Sequence, residues 1–148
     1  MTKFLLSVHV LAAILAIGPI TVAASLFPRY AKEAVPGGAD PDGRTAAFLH
    51  RICQGYGVLG IAVPVFGFAT GAQLGVLTDA WLIASMALTA IAAGLLALAI
   101  LPVQRRLLAE PGPGRAVTRL TAMTGTFNII WTVVVVLMIV RPGSTTGA

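Results

Sequence analysis

Four long apolar blocks alternate with short polar segments along this chain: Phe4 to Phe27, Ile52 to Leu77, Trp81 to Leu101 and Leu120 to Val140. Each reaches or exceeds the roughly 20 residues that a helix needs to cross the hydrocarbon of a bilayer. The pattern predicts an all-α, four-transmembrane-helix bundle in a single domain, 1–148, with spans at about 4–27, 52–77, 81–101 and 120–140. Loops are then expected at about 28–51 and 102–119, with a tight turn at Thr78-Asp79. There Asp79 offers a helix N-cap and an acid at a helix N-terminus, and Trp81 an interfacial anchor.

The first block has a lone Lys3 before it and small residues, Val22 to Ser25, near its end, as a signal peptide would. Its 24 residues, Phe4 to Phe27, exceed the usual apolar core of about 7–15, so it is read as the first span. Basic residues set the orientation. Arg29, Lys32, Arg44 and Arg51 flank the first loop and Arg105, Arg106, Arg115 and Arg119 the second, whereas the other side has only Lys3 and Arg141. The positive-inside rule places both basic loops in the cytoplasm and both termini outside, as in a multi-pass protein of a bacterial inner membrane.

The two loops also resemble each other. Leu26-Phe27-Pro28-Arg29, Pro36-Gly37 and Gly43-Arg44 precede Arg51, much as Leu101-Pro102, Arg105-Arg106, Pro111-Gly112 and Gly114-Arg115 precede Arg119. This weak repeat points to two parallel helical hairpins related by a pseudo-twofold axis along the membrane normal.

Composition agrees with a membrane environment: 57% of residues are hydrophobic and 10% charged, with mean hydropathy +0.93. So little of the chain lies outside the spans that function must reside in the bundle, at its ends or on a partner. The net charge of +5 is explained by basic loops beside anionic headgroups, with no motif for nucleic acid. The single cysteine, Cys53, excludes an internal disulfide and reads as a small packing residue.

The five acids, Glu33, Asp40, Asp42, Asp79 and Glu110, all fall outside the apolar spans. A proton-coupled transporter needs an ionisable group in the membrane to carry its coupling charge, so a small multidrug antiporter is not expected. Two histidines cannot furnish two bis-histidine haem sites, and neither a Ser-His-acid set nor a nucleotide, phosphate or zinc motif is present. No catalytic residue is therefore assigned.

Polar residues inside the spans carry the remaining signals. His9 is the one ionisable side chain well inside the hydrocarbon, roughly 8 Å below the outer end of its helix at 1.5 Å per residue. It reads as a cofactor or metal ligand, or equally as a neutral histidine bonded to a neighbouring backbone. His50 lies at the other end, about 20 Å away along the normal, too far to share an iron. Met86, on the outer half of the third span, is the better-placed soft partner, and otherwise a core filler. On the fourth span Thr121, Gly125, Asn128 and Thr132 form a polar stripe, expected to face protein as hydrogen-bonding glue or to line a polar pathway. On the second, Gly57, Gly60, Pro64, Gly67 and Gly71 predict close packing and a kink at Pro64, with a slot for a flat cofactor as the other reading.

The run Leu6-Ser7-Val8-His9-Val10-Leu11-Ala12-Ala13, with Gly18 and Phe27-Pro28-Arg29, resembles the first helix of copper-resistance-protein-D-like and HemJ-like membrane proteins. The whole chain, down to Arg141-Pro142-Gly143-Ser144, resembles small four-helix actinobacterial membrane proteins grouped near them. The HemJ resemblance implies a haem-associated role for His9 and, less directly, a role for Arg29; the copper resemblance implies metal handling. The longer interval from Gly18 to Pro28 departs from the HemJ pattern, so protoporphyrinogen oxidation is not expected. The reading is a membrane protein holding haem b or copper through His9. Its alternative is a non-catalytic scaffold or accessory subunit, packed as a homo-oligomer or within a larger membrane complex.

Overall fold

Lipid cannot hydrogen-bond a backbone, so a chain this apolar must satisfy its amides within helices. A computed structural model describes residues 1–110 and 114–143, and among them it is all-α. Four helical stretches are long and apolar enough to cross a membrane: Thr2–Glu33, Arg44–Leu74, Ala80–Ala109 and Arg115–Val140. The first is a single helix, α1 (Thr2–Glu33). The second is divided into α2 (Arg44–Leu59) and α3 (Ala62–Leu74). The third comprises α4 (Ala80–Leu95), a π-helical turn (Leu96–Ile100) and α5 (Leu101–Ala109), and the fourth is α6 (Arg115–Val140).

The helices outlast the apolar blocks. Residues 28–33, 44–51, 102–109 and 115–119, expected as loop, are helical, and the connections shrink to 34–43 and 110–114. Hydropathy marks where lipid contact stops, whereas a helix continues until its amides find a better partner. At about 1.5 Å per residue, α1 exceeds the roughly 30 Å of hydrocarbon and projects beyond it. Pro111 and Gly112 of the loop repeat, and Ser144 of the tail, lie outside the described residues.

Proline accounts for the irregular backbone. Pro64 has no N–H for the carbonyl of Gly60, which instead accepts from Val63 N at 3.1 Å, while Ile61 N donates to Val58 O at 3.2 Å. The α-helical ladder is therefore interrupted at Gly60-Ile61, one turn before Pro64, where the proline is expected to act. Pro102 acts differently. The helix expected to end there continues, with a π turn preceding it in which Leu101 N–H reaches Leu96 O.

Each hairpin packs internally, α1 against α2 and α3, and α4 against α6, and the two join where α1 meets α6 and α2 meets α5. The buried face of α1 repeats at helical spacing: Ala16, Ile20, Ala23 and Ala24, Phe27 and Ala31. It meets Leu49 and Cys53 of α2, Ala92 and Ile100 of the third crossing, and Leu120 and Phe127 of α6 in one core. Outward faces carry large apolar side chains, among them Ile14, Val58, Leu98 and Ile139, as contact with lipid requires.

The basic end of the bundle, with the 34–43 and 110–114 connections, is fastened by Asp40. Its carboxylate accepts Thr45 N at 3.1 Å and Ala46 N at 3.3 Å, capping α2 from outside a left-handed Gly43. At the far end, Gly75 (φ 70°) closes α3 and the backbone of Asp79 starts α4. The Asp79 carboxylate does not cap α4: it accepts the indole N–H of Trp81 at 3.0 Å. The guanidinium of Arg141 lies 5.3 Å from the Trp81 ring centroid, tying the end of α6 to the start of α4.

Asp40→Ala should lower unfolding free energy in detergent by about 0.5–2 kcal/mol, the usual contribution of a side-chain cap. Asp42→Ala, which removes only an exposed 3.9 Å ion pair to Arg44, should leave it nearly unchanged. Equal losses in the two variants would contradict the capping role.

Candidate functional site

His9 faces the second crossing. Its Nδ1 lies 2.8 Å from the carbonyl oxygen of Val63, and a Cβ built on Gly67 would fall 2.8 Å from His9 Cε1. Val63 and Gly67 are one turn apart on α3, so a single helix face supplies both the acceptor and the bare backbone against which the imidazole rests. A carbonyl can only accept, so Nδ1 carries the proton. In the neutral ring Nε2 is then left with its lone pair, and it makes no hydrogen bond among the described residues. The half-buried ring is thus oriented and held in one tautomer by a backbone hydrogen bond, as metal-bound histidines commonly are.

The other glycines of this crossing serve packing. A Cβ on Gly71 would meet Leu82 at 2.9 Å and Leu77 at 3.2 Å, one on Gly57 would meet Leu96 at 3.5 Å, and one on Gly60 would meet Ala16 at 3.9 Å. The His9 ring and these side chains lie over the glycine positions themselves.

Met86 is not brought to His9. It is 43% exposed on α4, which packs on α6, while His9 turns toward α3. The His9/Met86 pair is therefore not supported, because the side of α4 that packs against protein carries Trp81, Leu82, Ser85 and Ala92. Arg29 is far along α1 from His9, exposed, with its guanidinium 6.0 Å from the Tyr30 ring centroid. Among the described residues no group of three or more His, Cys, Asp or Glu side chains could hold a metal ion.

The polar stripe on α6 also needs correction. Thr121 and Thr132 are exposed, and each returns its hydroxyl to its own helix, Thr121 to Val117 O at 3.0 Å and Thr132 to Asn128 O at 2.8 Å. A Cβ on Gly125 would meet nothing within 4 Å. Only Asn128 crosses to another helix, through Nδ2 to Ser25 Oγ at 3.1 Å. The buried seam lies about 100° around the helix, at Val117, Leu120, Thr124, Phe127 and Val134, the three-four spacing of helices packed along a seam. On and beside it, Thr124 Oγ1, Asn128 Oδ1 and Trp131 Nε1 are buried with no hydrogen-bond partner among the described residues.

The most complete polar cluster is elsewhere. His50 Nδ1 lies 2.8 Å from Gln104 Oε1, and Gln104 Nε2 donates to Cys53 Sγ at 3.7 Å. All three are buried, Gln104 and Cys53 completely, and the Phe27 ring packs at 6.4 Å from that of His50. This chain of contacts joins α2 to α5 near the basic end of the bundle. Sequence reasoning treated His50 and Cys53 separately and passed over Gln104, although His50 and Cys53 lie three apart on one helical face. With every polar atom of the Gln104 amide engaged, the cluster works as an interhelical lock.

The chain matches no family model, no curated protein and no solved structure.

Gly67→Ala should force the His9 ring to move and destabilise the fold by about 1–3 kcal/mol, as overpacking does. Gly125→Ala, in open space, should be neutral or slightly stabilising. Gln104→Leu should cost about 1–3 kcal/mol by stranding the His50 N–H. Adding His50→Leu to it should cost less than the sum of the two single changes. Additive losses in that double-mutant cycle would show that the two side chains do not act together.

Proposed function

We propose that this is a multi-pass protein of a bacterial inner membrane, with its basic loops in the cytoplasm, in which His9 would hold haem b near the outer face. Three considerations support the reading. His9 lies within a membrane-spanning helix, its Nδ1–H is committed to the Val63 carbonyl, and its Nε2 keeps a lone pair on a ring that cannot easily turn. The observation that carries it is the Val63 hydrogen bond, which fixes the tautomer a ligand needs.

The donor set favours haem over copper. A porphyrin brings four of its iron's donors and asks the protein for one or two, whereas copper(I) needs several soft donors from the chain, and Met86 is turned away. Bound haem would supply one-electron chemistry. The chain's own contribution would be to orient the imidazole and keep it in an apolar setting, which tunes the iron's potential.

A second reading rests on the same contacts. His9 bonded to Val63 and seated on Gly67 is also a satisfactory clamp between α1 and α3, which suits a non-catalytic scaffold or accessory subunit of a larger membrane complex.

Oxidised and dithionite-reduced absorption spectra of detergent-purified protein, expressed with ample haem and copper and accompanied by metal analysis, separate the two. The haem reading expects a Soret band and a reduced α-band that vanish in His9→Ala while far-ultraviolet circular dichroism stays helical. A colourless, metal-free protein would sink it in favour of the clamp, and so would a chromophore that His9→Ala retains. Stoichiometric copper lost in His9→Ala would overturn the choice of haem and keep His9 as a ligand.

A further inference from the structure

The basic end of the bundle has a groove of about 430 Å³ between α5 and the start of α6, lined by Val103 and Arg106 on one side and Arg115, Ala116 and Arg119 on the other. Arg115 and Arg119 are four apart on α6, hence on one face, and Arg106 approaches from the opposite wall. Three arginines therefore contribute to the lining of one cavity, with no acid among its described lining residues. None of the three makes an ion pair or hydrogen bond with a described residue. The acids elsewhere are engaged: Glu33 with Ala39 N, Asp40 with the α2 amides, Asp42 with Arg44 and Asp79 with Trp81. Glu110 is exposed in the neighbouring turn, outside the lining, and residues 111–113 are Pro, Gly and Pro.

The end of α6 adds to this field. Its N-cap is Gly114, no side chain caps it and its first turn carries no acid, so the positive pole of the helix is uncompensated where Arg115 and Ala116 line the groove. Like charges carried by residues of one groove favour a bound anion. Guanidinium groups suit phosphate in particular, because their paired N–H groups match its oxygens. Val103 and Ala116 give the groove apolar wall near the ends of two helices long and apolar enough to cross a membrane. That combination of a cationic rim and an apolar wall fits a headgroup whose acyl chains continue along the helices.

We propose that the groove formed by Arg106, Arg115 and Arg119 binds a phosphate group, supplied by an anionic phospholipid such as phosphatidylglycerol. The site ties α5 to α6 on either side of the 110–114 connection, and its occupancy holds these two helix ends together. It is independent of His9, which lies toward the other end of the bundle.

The test is native mass spectrometry of the full chain in neutral detergent, titrated with phosphatidylglycerol, with phosphatidylcholine as the zwitterionic comparison. Wild type should retain phosphatidylglycerol in preference to phosphatidylcholine. Arg106→Gln/Arg115→Gln/Arg119→Gln should retain it about tenfold or more weakly, and Arg51→Gln/Arg105→Gln, equal in sign of charge removed but outside the groove, should resemble wild type. If the triple variant does not fold, the three single changes are read instead, each expected to weaken retention about threefold or more. Equal retention by the groove variants and wild type would overturn the proposal, as would an equal loss in the Arg51/Arg105 control, which would indicate a diffuse basic collar. A groove-dependent rise in thermal stability with millimolar inorganic phosphate, without selective lipid retention, would overturn the lipid source and assign the groove to a soluble phosphate.

Discussion

Hydrocarbon offers no hydrogen bonds, and most of this architecture follows from the need to satisfy the backbone's polar groups within the chain. The requirement explains the departures from straight helix as well as the helices themselves. At Pro64 the carbonyl that loses its donor is answered by Val63 through a tighter turn, and ahead of Pro102 the ladder widens into a π turn. It also explains why threonines that face outward are tolerated. Thr121, Thr126 and Thr132 fold their hydroxyls onto carbonyls one turn back, so their polarity is spent inside their own helix.

The same rule distinguishes the two histidines. Neither faces lipid with both nitrogens unsatisfied, but their partners differ in kind. His9 uses a backbone carbonyl, whereas His50 uses an amide side chain that is itself bonded to Cys53. In both rings Nδ1 donates and Nε2 makes no hydrogen bond among the described residues.

Much of the fold was legible because hydropathy and proline act locally. Four apolar blocks gave four crossings, and the missing N–H of Pro64 gave the break in the second. The ends of the helices were not legible, since Arg44 to Arg51 and Arg115 to Arg119 are polar yet helical, and helix length there is governed by capping rather than by lipid contact. The site residues divide in the same way. His9 stood out as an ionisable group in an apolar run. Its partners Val63 and Gly67 could not be found, because a carbonyl and an absent side chain leave no mark in composition. On α6 polarity was a partial guide: Asn128 bonds Ser25 of α1 as interhelical glue would, but Thr121 and Thr132 bond within their own helix, and the packed seam runs through Leu120, Thr124 and Phe127, one residue away and so a different side of the cylinder. Met86 was placed by depth alone, which fixes height in the membrane and not azimuth.

The interruption at Gly60-Ile61 turns the second crossing from one rod into two short ones with separate moorings. Gln104 of α5 holds the lower rod through its bonds to His50 and Cys53, and the upper is held by His9 of α1 through Val63. The polar contacts of one crossing are thus shared out between two different neighbours, the lower rod bonded to the third crossing and the upper to the first.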